Sequence, residues 1–83
     1  MPEEFCTFKL RTLTFGDMGH DVKLAQRLLQ ALGYLDKNGK RCRITGILNS
    51  QTLYLITKFQ KHNNLVVTRK VDRDTWLTLM GVN

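Results

Sequence analysis

In "DVKLAQRLLQALGY" (residues 21–34), Val22, Ala25, Leu29 and Leu32 recur at helical intervals, Leu28 widens the stripe, and Lys23, Arg27 and Gln30 fall on the other side. This spacing predicts an amphipathic helix. Asp21 is the expected cap, because a carboxylate suits the free N–H groups and positive end of a helix, and Gly33 is the expected terminator. A second helix is predicted in "NSQTLYLITKFQKHNN", capped by Asn49 or Ser50. There Thr52, Leu55, Ile56 and Phe59 share the inner face, Tyr54, Lys58 and Lys61 point to solvent, and Leu53 lies exposed on the flank. Asn64 sits where a left-handed residue would end it. "DRDTWLTLMG" predicts a short third helix, with Asp72 as cap, Trp76, Leu79 and Met80 inward, and Gly81 at its end.

Two stretches escape these periods. Between the first two helices, "DKNGKRCRI" carries the Asn38-Gly39 pair of a tight turn, which predicts a basic hairpin-like loop. At the N-terminus, Phe5, Phe8, Leu10, Leu13 and Phe15 fit no single period and are read as an extended or short helical lead-in that lays aromatic rings over the core. The fold class is therefore all-α: a compact three-helix bundle with short extended, strand-like joints. A chain of 83 residues has surface to bury for one core, so residues 1–12 are read as a lead-in and 13–83 as the domain.

One phrase occurs twice, as "TGILNSQT" at 45–52 and "TRKVDRDT" at 68–75. The copies agree in Thr45 and Thr68, in the apolar Leu48 and Val71, in the caps Asn49 and Asp72, and in Thr52 and Thr75 three positions later. Each copy thus brings in an extended piece, makes one buried apolar contact and launches a capped helix. With two copies the pattern reads as an internal duplication in a compact domain, too short for a solenoid.

Charge and chemistry refine this picture. Thirteen Lys and Arg against seven Asp and Glu leave a net charge of +6, concentrated in "DKNGKRCR" (36–43) and again at Arg69, Lys70 and Arg73, a distribution that favours polyanions. No run is long enough to span a membrane, and the N-terminus lacks a signal-peptide layout, so export would be directed from outside these residues. Cys6 and Cys42 do not amount to a disulfide scaffold and are read as free thiols, although sequence does not place them relative to one another. Catalysis finds little support. His20 and His62 lack partners at metal-ligand spacing, the aspartates sit at turns and caps, and no Ser or Cys lies in a nucleophile motif. The chain reads as a non-enzyme without cofactor or metal.

The ordered motifs resemble those of the peptidoglycan-binding domains of the small three-helix type attached to bacterial and phage cell-wall hydrolases. The entry is Leu13, Gly16, Gly19, Asp21 and Val22; the first helix shows Gln26, Leu29, Leu32, Gly33 and Tyr34. Gly46, Leu48 and Thr52 form the first turn, Ile56, Phe59, Gln60 and Leu65 the second helix and its exit, and Val71, Thr75 and Trp76 the last turn. Departures are Thr45 for Asp, Leu48 for an aromatic, Asn49, Arg69 and Asp72 for glycines, and Ala25 for Leu; with the longer basic loop they mark a specialised member.

The resemblance implies a module that binds peptidoglycan, or an associated anionic wall polymer, in the cell envelope or outside the cell as part of a larger exported or phage-encoded protein, with an adjoining catalytic domain. Exposed aromatics suit sugar faces, and Lys or Arg suit carboxylates. Tyr34, Lys40, Arg41, Arg43, Tyr54, Lys58 and Arg69 are accordingly the candidate ligand residues. Trp76 reads as core, whereas Gln26 and Gln60 fit either buried hydrogen bonds to backbone or ligand contacts. The alternative is a docking module of a phage or envelope structure that keeps the fold without the glycan, a reading favoured by the lost glycines and by Leu53. Nucleic acid is the weaker match to the charge, since no recognised motif accompanies it.

Overall fold

The structure, a computed structural model, describes residues 10–81. These form three helices, α1 (His20–Ala31), α2 (Ser50–His62) and α3 (Arg73–Leu79), joined by extended segments that pair only through isolated bridges. The predicted architecture is therefore observed. Leu13 bridges Val71, and Met18 bridges Ile47, so the segment entering α1 runs antiparallel to both copies of the repeated phrase. Leu13 and Val71 exchange both backbone hydrogen bonds, at 3.1 and 2.9 Å, and Leu48 N–H donates to the Asp17 carbonyl at 2.8 Å.

The core lies where the inner faces of the helices meet these joints. Val22, Ala25 and Leu29 of α1, Leu55, Ile56 and Phe59 of α2, and Trp76 and Leu79 of α3 are buried together with Leu13, Leu48 and Val71. Burying a Leu-sized side chain contributes roughly 1.5–3 kcal/mol, so these positions supply most of what holds so small a domain together. Trp76 is core, as its spacing predicts, and its indole N–H donates to the Arg11 carbonyl at 2.9 Å.

Helix ends follow the sequence with one exception. The Asn49 and Asp72 side chains cap α2 and α3 by accepting from Thr52 N–H and Thr75 N–H. Gly33 and Asn64 take the expected left-handed conformation, and α1 and α2 each close with a pair of reversed bonds, Gly33 to Gln30 with Tyr34 to Leu29, and Asn64 to Lys61 with Leu65 to Gln60. The exception is the start of α1. Gly19 is the cap position and offers no side-chain bond, while Asp21 lies in the first turn, where Arg11 Nε donates to its carboxylate at 2.6 Å. That hydrogen bond and the guanidinium charge hold the Asp21 carboxyl below the usual carboxylate range.

Three apolar assignments change as well. Leu32 is 53% exposed, because α1 stops at Ala31 and the reversed turn carries the next residue off the inner stripe. Leu53 is half-buried and packs on the core, so it offers no exposed flank. Phe15 is 62% exposed: the tight turn at Gly16 aims it outward, not over the core. Phe5, Phe8 and Cys6 lie outside the described residues. Cys42 is a free, buried thiol, and burial pushes its pKa up, which disfavours the thiolate.

Candidate functional site

Each copy of the repeated phrase is held by one buried glutamine from the helix before it. Gln26 Oε1 accepts from the N–H groups of Thr45 and Gly46, both at 2.9 Å, and its Nε2 donates to the Ile47 carbonyl at 3.0 Å and the Thr52 hydroxyl at 2.9 Å. Gln60 repeats this on the second copy: Oε1 accepts from Arg69 N–H at 3.1 Å, and Nε2 donates to the Lys70 carbonyl at 2.8 Å and the Thr75 hydroxyl at 2.9 Å. Both side chains are fully buried and spend their amides on backbone. The two readings left open by sequence are thus resolved toward scaffold.

The open clefts lie elsewhere. Where α1 and α2 end side by side, their reversed turns leave an open groove of about 510 Å3, lined by Leu32, Tyr34, Leu35, Lys58, His62 and Asn63 among others. That volume falls within the roughly 300–1,000 Å3 of small-molecule clefts. The Tyr34 ring stands edge-on to Phe59, with centroids 5.6 Å apart, which fixes its plane. Its hydroxyl lies 2.7 Å from His62 Nδ1, and Asn63 Nδ2 approaches the same oxygen at 3.4 Å while donating to the Phe59 carbonyl at 2.9 Å. Lys58 Nζ donates to the Leu35 carbonyl at 3.1 Å, so the ammonium hangs over the groove wall. A ring, an amide, an imidazole and an ammonium on one apolar-floored surface can hold a ligand that has both C–H faces and polar groups.

Two smaller clefts flank Tyr54, which is 41% exposed on the outer face of α2. One, of about 220 Å3, is lined by Asp36, Lys37, Asn38, Ser50, Gln51 and Tyr54; the other, of about 240 Å3, by Ser50, Leu53, Tyr54, Thr57 and Arg69. Between α1 and α2 the basic loop is a hairpin, as predicted, with Leu35 bridging Arg41. Its turn is organised by Asp36, whose Oδ1 accepts from Asn38 N–H and Lys40 N–H, both at 2.8 Å. Gly39 alone in this turn takes positive φ. Gln51 pins the hairpin to the first turn of α2: its Nε2 donates to Asp36 Oδ2 at 2.8 Å, and its Oε1 accepts from Arg43 N–H at 3.0 Å.

Of the residues singled out by sequence, Tyr34 and Lys58 share the large groove, and Tyr54 and Arg69 share a small cleft. Lys40, Arg41 and Arg43 are exposed on the hairpin and line none of these three clefts. The sequence reading missed His62 and Asn63 as groove residues. The spacing of four between Lys58 and His62 places both on one helix face, which was the available signal. Their meeting with Tyr34, 28 residues away, was not encoded locally. Among the described residues no group of three or more His, Cys, Asp or Glu converges as a metal site would require, and no helix is long and apolar enough to cross a membrane.

A family model described as "Putative peptidoglycan binding domain" matches residues 18–79. Among solved structures, the Burkholderia AP3 phage endolysin is similar with a TM-score of 0.77 at 34% identity, over 88% of this chain and 26% of that one. A peptidoglycan-binding protein from Clostridioides difficile, solved in complex with glutamine hydroxamate, matches with a TM-score of 0.75 at 28% identity, over 84% of this chain and 40% of the other. The SleB N-terminal domain shares the fold, with a TM-score of 0.77 at 21% identity over 90% and 96% of the two chains. This chain thus spans well under half the length of the endolysin and of the C. difficile protein. No curated protein matches it.

Proposed function

The chain belongs to the peptidoglycan-binding domain family, and from that premise we propose that it is a non-catalytic module that attaches a larger hydrolase or phage or envelope assembly to the bacterial wall. The observation that carries this reading is the groove at the joined ends of α1 and α2. Peptidoglycan offers N-acetyl amides and hydroxyls along its glycan and carboxylates on its peptides. Asn63 and the outward nitrogen of His62 suit the amides and hydroxyls, the Tyr34 ring and Leu32 suit the sugar C–H faces, and Lys58 suits a carboxylate. The groove is preformed: its ring is held by Phe59 and His62, and its amide by a backbone carbonyl, so little ordering is left for the ligand to impose.

A binding role also fits how four of the five described carboxylates are used. Asp17 accepts from Thr14 N–H, Asp21 is held by Arg11, Asp36 organises the hairpin and Asp72 caps α3. Each is spent on structure. An adjoining catalytic domain and an envelope or extracellular setting accord with the short share of the endolysin that this chain spans.

The test is co-sedimentation with purified insoluble peptidoglycan. The protein should be depleted from solution, and His62→Ala combined with Lys58→Ala should weaken binding about tenfold while circular dichroism still shows the folded helices, the loss of two polar contacts at roughly 0.5–1.5 kcal/mol each. No depletion of the unmodified protein at low salt would overturn the reading. Unchanged binding by the double variant would remove the groove from it.

A further inference from the structure

We propose that the outer face of α2 around Tyr54 is a second binding site, distinct from the groove, for a linear wall polymer whose repeating units are joined by phosphodiesters. Two basic segments far apart in sequence reach this face from opposite sides. The cleft holding Lys37 and Asn38 and the cleft holding Arg69 share Ser50 and Tyr54, so the tyrosine ring forms a ridge between them. The backbone of the hairpin that carries Lys40, Arg41 and Arg43 is fastened to α2 beside it, through Gln51.

Three observations point to an anionic ligand. First, none of the cations here is in an ion pair with a carboxylate among the described residues. Both ion pairs among the described residues belong to Arg11, with Asp21 and Asp17, on a different part of the surface. The one acid of the hairpin, Asp36, turns its carboxylate onto backbone N–H groups and Gln51. Second, the hairpin is rigid before any ligand arrives, since that carboxylate and Gln51 fix it at both strands, which lowers the cost of gathering like charges around a ligand. Third, Arg69 occupies left-handed backbone, φ +63°, at the place where the first copy of the repeat has Gly46 at φ +81°. Side chains are disfavoured there, so a cation is kept where glycine would be more comfortable, and sites that retain such strain are commonly functional.

The choice of polymer follows from charge spacing. Lys37 and Arg69 line the two clefts, and Lys40, Arg41 and Arg43 stand exposed on the adjoining hairpin; the arginines carry planar forks that match phosphate oxygens, and the lysines add point charges. A phosphodiester chain carries a full charge on every repeat, as this many cations require, whereas a glycan strand carries carboxylates only through its peptides. Between charges, the polyol or sugar carbons would lie on the Tyr54 ring, and Ser50 and Asn38 would meet the hydroxyls.

The experiment compares native walls that carry a poly(glycerol phosphate) polymer with the same walls chemically stripped of it, using the full chain. Binding should fall about fivefold on stripping, and raising salt from about 50 to 300 mM should weaken the native-wall arm more steeply than the stripped one. Arg41→Ala, Arg43→Ala and Arg69→Gly together should bind native walls no better than the unmodified protein binds stripped ones. Arg69→Gly alone should keep or raise the melting temperature, which separates lost binding from lost folding. Equal binding to both walls, or a triple variant that binds native walls as well as the unmodified protein, would overturn the proposal. So would competition by a single-stranded oligonucleotide of equal charge as effective as free poly(glycerol phosphate). The groove reading is scored separately, since the His62 and Lys58 variants act on the stripped walls.

Discussion

The joint held by Gln26 and the joint held by Gln60 share their polar contacts almost group for group, yet their surroundings differ. At the first, Gln26 receives two backbone N–H groups, glycine takes the left-handed position, and the outward residue Ile47 pairs with Met18. At the second, Gln60 receives one, Arg69 takes that position, and the corresponding residue is the exposed Lys70. The caps differ too, a neutral Asn49 against an ionised Asp72. What both joints keep is what fixes the chain path between two helices. What only one keeps is chemistry directed outward: Arg69, Lys70 and Arg73 of the second copy are exposed where the first copy has Gly46, Ile47 and Ser50.

Removing the glutamines breaks the shared part. Gln26→Ala strands the N–H groups of Thr45 and Gly46, while the Ile47 carbonyl keeps the Thr45 hydroxyl and the Thr52 hydroxyl keeps Asn49, so at roughly 1–3 kcal/mol per unsatisfied group the expected loss is about 2–6 kcal/mol. That is comparable to the whole stability of so small a domain, about 4–12 kcal/mol. Gln60→Ala, with one stranded N–H fewer, should cost about 1 kcal/mol less. Urea unfolding gives both values, and an equal or reversed order would contradict the comparison. Gly46→Ala comes next. Its Cβ would meet Lys23 Cε at 3.1 Å in left-handed backbone, and a loss of about 1–2 kcal/mol is expected. The converse change, Arg69→Gly, relieves the same strain and should gain up to about 1 kcal/mol. If both substitutions are neutral, the two positions are not conformational equivalents.

The smallest effect is the acid response. Burial pushes the Asp72 carboxyl up, but the hydrogen bonds it accepts from the Thr75 hydroxyl, the Thr75 N–H and the Thr68 hydroxyl together hold it below the usual range. Its contribution is therefore present above about pH 4 and lost as pH falls through the lower folded-state value. Asp72→Asn copies the first joint's cap and should flatten part of the fall in melting temperature below about pH 4, the remainder belonging to groups such as Asp21. An unaltered acid profile in this variant would show that the cap is not a titrating difference between the joints.

The three helices and two of their caps were legible because they rest on short-range rules. Apolar residues at helical spacing, with Asn or Asp three positions before Thr, determine α2 and α3 almost without tertiary help. Asp21 was misassigned because the group that claims its carboxylate, Arg11, lies ten residues upstream, beyond any capping rule. The glutamines stayed ambiguous for a related reason: a polar residue in an apolar stripe looks the same whether its partner is a ligand or a turn nineteen residues on. The groove was half legible. Tyr34 and Lys58 were identifiable as exposed chemistry, but their convergence with His62 and Asn63 depends on two helix ends lying side by side.

Between Gln26 and Thr45 lie 18 residues, against seven between Gln60 and Thr68, and the difference is largely the hairpin. Because both ends of that excursion are clamped, by the end of α1 on one side and by Gln26 and Gln51 on the other, its tip can be lengthened or rewritten without disturbing the core, at a closure cost that grows only as the logarithm of its length. The same frame could therefore be retargeted by exchanging residues 37–40 alone, a cassette held at fixed distance from Tyr54 by a single glutamine.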